Sequence, residues 1–268
     1  MLRLSHIENL TKDLAIFRFE SEGGLQLPSF KPGQFVPLGV KVGDTRIFRD
    51  YSITSDPAER NYYEFYIKHK EHPVAGKFTS RLFQMNLGEM VLWENPRGVF
   101  TIEEKHGDAK ETRTMVLVAS GTGIAPFISY VRFLAKSQQP HRVVLLHGVS
   151  YPDELGYRNL LEGFSAQDGN LDLTYVPTIS RPDDPKSKNW SGNTGRVESL
   201  ISGIGRHESK LENITSSELT PDNSIFYLCG YKEMTDSVSS LLSDASFVSI
   251  RKKRDDGTFD IKLELYGV

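Results

Sequence analysis

The sequence predicts two architectures in one chain: an N-terminal antiparallel β-barrel over residues 1–104 and a C-terminal α/β domain with a doubly wound parallel sheet over residues 113–268. Three observations carry this. Before residue 104, short β-forming runs recur between Gly, Pro and Asp turns. Residues 104–113 form a polar stretch. Beyond it, compact apolar runs alternate with amphipathic segments of helical length.

In the first region, Leu14-Ala-Ile-Phe-Arg-Phe-Glu20 and Tyr62-Tyr-Glu-Phe-Tyr-Ile-Lys68 alternate with the two-residue period of a half-buried strand. Gln34-Phe-Val-Pro-Leu-Gly-Val40 and Met90-Val-Leu-Trp-Glu94 are shorter and more apolar. Turn signals separate them at Lys31-Pro-Gly33, Val42-Gly-Asp44, Ser55-Asp-Pro57 and Asn95-Pro-Arg-Gly98. Gly76-Lys-Phe-Thr-Ser-Arg-Leu-Phe83 is the one short helical segment expected there. Lys105-His-Gly-Asp-Ala-Lys-Glu-Thr112 supplies a linker. Then Met115-Val-Leu-Val-Ala119 predicts a buried strand, with an amphipathic helix to about Ala135. Further strands are expected at Arg142-Val-Val-Leu-Leu-His147, Leu171-Asp-Leu-Thr-Tyr-Val176, Ser224-Ile-Phe-Tyr-Leu-Cys229 and the C-terminal run from Phe259. Helices are expected over 154–163, 197–201 and 234–242.

The 268 residues suffice for two domains with their own cores. Thirty-two Lys and Arg against thirty-five Asp and Glu leave a net charge of −3, which argues against a nucleic-acid binder. A single cysteine, Cys229, excludes a disulfide framework within the chain, a four-thiolate iron–sulfur cluster and a Cys-rich zinc site, and no metal site is expected. If the protein moves electrons, another cofactor must carry them. The N-terminal Met-Leu-Arg-Leu-Ser-His-Ile-Glu does not read as a signal peptide, and no run approaches the eighteen or so apolar residues of a membrane span. A cytoplasmic location is expected.

Four segments carry the chemistry. In Ala119-Ser-Gly-Thr-Gly-Ile-Ala-Pro126, Gly121 and Gly123 permit a sharp turn and close approach to a ligand, with Thr122 between them. Pro126 suits the first helical turn. The amides at the helix start favour a phosphate, although a tight strand-to-helix turn with no ligand fits the same residues. In Arg49-Asp-Tyr-Ser-Ile-Thr-Ser55, strand alternation puts Arg49, Tyr51 and Ile53 on one face, Asp50 and Ser52 on the other. Arg49 could fork onto a phosphate, Tyr51 stack on a flat ring and Ser52 donate a hydrogen bond; a half-exposed strand with an edge Arg is the plainer reading. Gly76-Lys77-Phe78-Thr79 opens a short helix and could hold an anion. Leu228-Cys229-Gly230 ends a strand, where open α/β sheets bind ligands, or Cys229 is a small buried hydrophobe.

In order and spacing these segments resemble the ferredoxin–NADP reductase family of flavoproteins, over essentially the whole chain. Lys31-Pro-Gly-Gln-Phe35, just upstream of the second segment, matches as well. The resemblance is greatest to the bacterial subgroup serving ferredoxin or flavodoxin. It implies FAD bound by Arg49, Tyr51 and Ser52, with its pyrophosphate on Gly76, Lys77, Phe78 and Thr79. It implies NADP(H) as co-substrate, its pyrophosphate on Gly121, Thr122, Gly123 and Pro126, and its nicotinamide beside Cys229 and Gly230. Arg181 and Arg196 match positions of Arg residues that bind the 2′-phosphate; a third such Arg falls near Ser150 and is absent here. Hydride transfer between nicotinamide and flavin, then single-electron transfer to a separate ferredoxin or flavodoxin, is the implied reaction. Ser52, Cys229 and Tyr266 are its implied catalytic residues, with Tyr266 of Glu264-Leu-Tyr266 covering the flavin.

Arg251-Lys-Lys-Arg254 is either a docking face for an acidic carrier or solvated surface. Three alternatives stand beside the main reading: an NADH-dependent reductase feeding an oxygenase or cytochrome, a nucleotide sensor without electron transfer, and FMN in place of FAD.

Overall fold

The computed structural model of the chain describes residues 1–69, 77–167, 169–206 and 208–266. By internal contacts these residues form two units: Met1–Ile102 together with Ala125–Phe133, and Glu103–Ile124 together with Leu134–Val268.

The first unit is built from β1 (Leu2–Thr11), β2 (Leu14–Ser21), β3 (Phe35–Val42), β4 (Thr45–Ser52), β5 (Tyr62–Lys68), α1 (Lys77–Phe83) and β6 (Met90–Trp93). The six strands form an antiparallel sheet in the order β4-β3-β6-β1-β2-β5. Its two edges meet where Ile53 bridges Phe65 and the Thr54 amide donates to the Glu64 carbonyl at 2.8 Å, closing the sheet into a barrel. Alternate inward residues fill it: Leu2 and Leu4 from β1, Phe17 and Phe19 from β2, Tyr63 and Phe65 from β5.

β1 is not among the expected strands. Its inward residues Leu2 and Leu4 are buried, but Ser5, His6, Glu8 and Asn9 dilute the pattern, and two register shifts against β2 interrupt the alternation. The alternation expected across residues 49–53 also lapses. Ser52 is the last residue of β4, and both it and Ile53 are buried as the chain turns to the closing bridge.

The second unit contains the hairpin β7 (Lys105–His106) and β8 (Ala109–Lys110), then β9 (Thr114–Ser120), the last two residues of helix α2 (Ala125–Ala135), whose other residues belong to the first unit, β10 (His141–Val149), α3 (Arg158–Ser165) and β11 (Leu171–Ile179). It continues with β12 (Asn193–Thr194), α4 (Glu198–Ile201), α5 (Lys210–Thr215), β13 (Ser224–Gly230), α6 (Lys232–Asp244) and β14 (Ile261–Leu265). The sheet is parallel throughout, in the order β12-β11-β10-β9-β13-β14. Val116, Val118, Val144, Leu146, Phe226 and Leu228 are fully buried, as expected of central strands covered on both faces. The linker residues thus pair as β7 and β8 around Gly107, whose φ of 61° suits the tight turn. Among the described residues no helix is long and apolar enough to cross a membrane.

Candidate functional site

On the barrel, β3 pairs with β4 in a register that sets Val36 opposite Tyr51 and Phe35 opposite Ser52. α1 packs against both strands and seats buried Phe78 against half-buried Tyr51, with ring centroids 5.5 Å apart. Burial raises the Tyr51 phenol above its ordinary range, only partly opposed by the nearby Arg49 guanidinium, so the hydroxyl stays protonated and able to donate. Arg49 is exposed and donates to the Phe48 carbonyl at 2.7 Å; Ser52 is buried. Lys77 is exposed at the start of α1 and Thr79 half-buried, while Gly76 lies outside the described residues. The structure therefore brings Tyr51, Ser52, Phe78 and Thr79 onto adjoining elements.

The Lys31-Pro-Gly-Gln-Phe35 segment has a steric explanation. Gly33 adopts φ 88°, and a Cβ there would lie 1.8 Å from the Phe100 carbonyl oxygen. Gln34 ties the turn, accepting from the Lys31 amide at 2.9 Å and donating to the Gly98 carbonyl at 3.2 Å.

Beneath this surface lies a polar cluster that the sequence reading missed. Glu64 is 1% exposed, accepts from Arg18 and Arg132 at 2.8 Å each, and takes the Thr54 hydroxyl at 3.0 Å. Arg132 also donates to the Thr54 carbonyl at 2.6 Å, and Ser129 to the Ser55 carbonyl at 3.0 Å. The end of the Arg49–Ser55 segment is thereby fixed by α2. The one available signal was a lone Glu among the aromatics of Tyr62-Tyr-Glu-Phe-Tyr66.

In the second unit the two glycine segments explain one another. β9 and β13 are neighbours, with Ala119 opposite Cys229, so the Gly121–Ile124 turn and the Cys229-Gly230 step emerge side by side. A Cβ on Gly123 would lie 2.2 Å from the Cys229 carbonyl oxygen. A Cβ on Gly230, at φ 152°, would lie 2.1 Å from Ser120 Oγ. Gly121 has φ 54°, while Pro126 is the second residue of α2.

Cys229 is fully buried. Burial pushes its thiol well up and the Glu264 carboxylate pushes the same way, while a hydrogen bond with Tyr266 opposes both. It is a neutral thiol, so it can pack and hydrogen-bond but is no thiolate nucleophile. Glu264 pairs in register with Cys229 across β13 and β14, and the Tyr266 amide donates to the Gly230 carbonyl at 2.9 Å. Cys229, Gly230, Gly123 and Tyr266 thus come together at the carboxyl end of the sheet, the usual position for a ligand in this architecture.

Arg181 follows β11 and Arg196 follows β12, whose Thr194 pairs in parallel with Ile179 at the end of β11. The Gly195 amide donates to the Ile179 carbonyl at 2.8 Å, setting Arg196 beside the strand that Arg181 follows. Both arginines are exposed. Arg181 donates to the Tyr151 hydroxyl at 2.6 Å and lies 5.3 Å from its ring centroid, and the Lys186 ammonium lies 4.8 Å from the same ring. Tyr151 and Lys186 were not among the expected residues.

His147 is a further buried polar residue, in β10. Its Nε2 lies 3.0 Å from the Gly121 carbonyl oxygen and its Nδ1 3.3 Å from the Tyr175 hydroxyl. Burial lowers its pKa to about 4, against smaller upward pulls from the Gly121 carbonyl and Glu154. A histidine inside the apolar run Val143-Val-Leu-Leu-His147 was the sequence signal.

Residues 1–102 match the family model described as an oxidoreductase FAD-binding domain, and residues 117–240 match an oxidoreductase NAD-binding domain. The chain is 31% identical over 229 residues to ferredoxin–NADP reductase A of Sorangium cellulosum, covering 82% of this chain and 76% of that one. The chain belongs to the ferredoxin–NADP reductase family. It is also 29% identical to the reductase component of propane 2-monooxygenase from Rhodococcus jostii, over 90% of this chain and 58% of that protein. Among solved structures, a ferredoxin–NADP+ reductase from Neisseria gonorrhoeae with bound FAD and NADP shares the fold, at a TM-score of 0.77 and 24% identity over 98% of this chain and 97% of that one. The antiparallel barrel and the parallel sheet are therefore the two halves of a family oxidoreductase, with FAD and a nicotinamide nucleotide as its cofactors.

Proposed function

We propose that the protein is an FAD-dependent reductase that exchanges electrons between NADP(H) and a separate ferredoxin or flavodoxin. The observation that carries the nucleotide choice is the pair Arg181 and Arg196 at one end of β11: guanidinium forks match the geometry of a 2′-phosphate. Tyr151 supports the reading by holding Arg181 in place through a hydrogen bond and a cation–π contact.

When bound, FAD accepts a hydride and releases electrons one at a time; the chain positions and tunes it. Arg49 meets its phosphates. Tyr51, its ring backed by Phe78, would stack on the flavin, and Ser52 would donate a hydrogen bond at the flavin edge. Lys77, Phe78 and Thr79, with Gly76 by the family resemblance alone, would hold the flavin pyrophosphate, and Gly121 to Gly123 with Pro126 would hold that of the nucleotide. Cys229 and Gly230 would flank the nicotinamide, with the thiol staying neutral there. Tyr266, anchored by its amide to the Gly230 carbonyl, would supply the ring that covers the flavin.

A second reading has two supports. The Tyr151 hydroxyl also faces the Asp184 carboxylate at 3.4 Å, an anion beside Arg181 that disfavours a 2′-phosphate, and the propane 2-monooxygenase reductase component is a relative at 29% identity. An NADH-dependent reductase feeding an oxygenase is the function it would support.

One optical series tests both. The purified protein should carry a flavin spectrum that bleaches anaerobically with NADPH faster than with NADH. Its colour should return on addition of oxidised ferredoxin or flavodoxin. Faster bleaching by NADH, with no reoxidation by either carrier, would replace the first reading by the second.

A further inference from the structure

The chemistry of the loop depends on which way its peptide groups face, and one peptide is held by a residue outside the loop. The Gly121 carbonyl can only accept, so His147 Nε2 must carry the proton at 3.0 Å. His147 is fully buried and neutral, so Nδ1 is then a bare acceptor, and the Tyr175 hydroxyl at 3.3 Å must be the donor to it. The hydroxyl of Tyr175 thus selects one tautomer, and that tautomer fixes one carbonyl.

In a trans peptide the C=O and N–H point in opposite directions. With the Gly121 carbonyl drawn inward to His147, the amide N–H of Thr122 is aimed the other way, outward from the imidazole. Gly121 opens the Gly121–Ile124 turn at φ 54° with no side chain, so the imidazole adds to the turn's own hydrogen bonds in holding this peptide. Turned over, it would present a carbonyl oxygen, rather than an N–H, to any anion on the loop.

We propose that His147, held in its Nε2–H tautomer by Tyr175, is a positioning residue that locks the Gly121–Thr122 peptide in the orientation that binds the nucleotide pyrophosphate. This rests on the assignment of the Gly121–Gly123 loop to that pyrophosphate. The recognised chemistry is a diphosphate, and the interaction controlled is one amide-to-phosphate hydrogen bond, of the charge-assisted kind. Neither His147 nor Tyr175 touches the nucleotide; both act through the backbone.

The test compares two ligands by calorimetry on the FAD-loaded protein: NADP+, which contains the pyrophosphate, and 2′-AMP, which shares the adenosine 2′-phosphate end without it. His147→Leu should weaken NADP+ about tenfold and leave 2′-AMP within about twofold, since one charge-assisted bond is lost at one end of the ligand only. His147→Gln, whose amide can donate from nearly the position of Nε2, should restore NADP+ binding to within about threefold. Tyr175→Phe frees the second tautomer and should produce a smaller loss, again confined to NADP+. Equal weakening of both ligands in His147→Leu, or no change in their ratio, overturns the proposal; if that variant does not fold, an unchanged ratio in Tyr175→Phe does so. If the wild-type protein binds NADP+ no better than 2′-AMP, the assignment of the loop fails instead.

Discussion

Lowering the pH from 7 to 5 should destabilise the second unit by about 2 kcal/mol through His147 alone. The histidine has an ordinary pKa of 6.5 and about 4 when folded, because burial penalises its charged form. The unfolded chain therefore binds the proton more readily, and stability falls as pH falls. The contribution is complete above 6.5, declines below it, and stops changing below about 4. Between pH 7 and 5 the unfolded histidine becomes almost fully protonated, whereas about a tenth of the native population does. Roughly one and a half effective pH units, at about 1.4 kcal/mol each, give the stated loss. The groups facing His147 are Tyr175, which stays protonated in this range, and Glu154, whose upward pull is smaller than the burial effect. His141 is displaced in the same direction and contributes its own slope, so the variant His147→Gln supplies the baseline. The assay is urea unfolding at fixed ionic strength, followed by fluorescence of Trp190 in a Trp93→Phe background. The wild type should lose about 2 kcal/mol more than His147→Gln between the two pH values. A difference below about 0.5 kcal/mol would mean that the native imidazole is solvated or charged, and the reasoning fails.

Four further outcomes follow from the geometry. Gly123→Ala drives a methyl into the Cys229 carbonyl, 2.2 Å away, so the loop must retreat; NADP+ should bind at least about tenfold more weakly with flavin content unchanged. The double change Arg181→Ala, Arg196→Ala should raise KM for NADPH far more than for NADH in steady-state kinetics, and equal effects would remove the 2′-phosphate assignment. Ser52→Ala or Cys229→Ser should slow flavin reduction in stopped-flow by roughly tenfold or more while FAD remains bound; loss of FAD would point to a structural role. Glu64→Gln removes the buried carboxylate that both Arg18 and Arg132 reach and should destabilise the barrel by about 1.5–3 kcal/mol, read as earlier thermal release of the flavin.

Patterns with strict periods were legible in the sequence: β2, β5, β9, β10 and β13 all lie where alternation or an apolar run predicts them. The conformational demand on three glycines was legible too, since Gly121, Gly123 and Gly230 stand where a side chain is sterically excluded or φ is positive. What escaped had either a diluted pattern or a partner far away in sequence. β1 hides its two inward leucines among polar residues. α5 is only six residues long, although Ser209-Lys-Leu-Glu212 has the sequence pattern of a capping box and Ser209 Oγ accepts from the Glu212 amide at 3.1 Å. His147 and Glu64 become interpretable only once Gly121 is 3.0 Å from one and Arg132 2.8 Å from the other. No local pattern encodes such pairings.

The grouping of residues 125–133 with the barrel sets how this protein could be divided or recombined. A fragment ending near residue 104 contains every strand of the barrel but lacks Ser129, Tyr130 and Arg132. In it Glu64 would keep Arg18 but lose its second guanidinium, and the carbonyls of Ser55 and Phe100 would lose the hydroxyl donors they have at 3.0 and 2.6 Å. The unit that folds is therefore discontinuous in sequence. An exchange of modules between relatives would need to carry the helix with the barrel, or to supply another helix bearing Ser, Tyr and Arg at the same three positions.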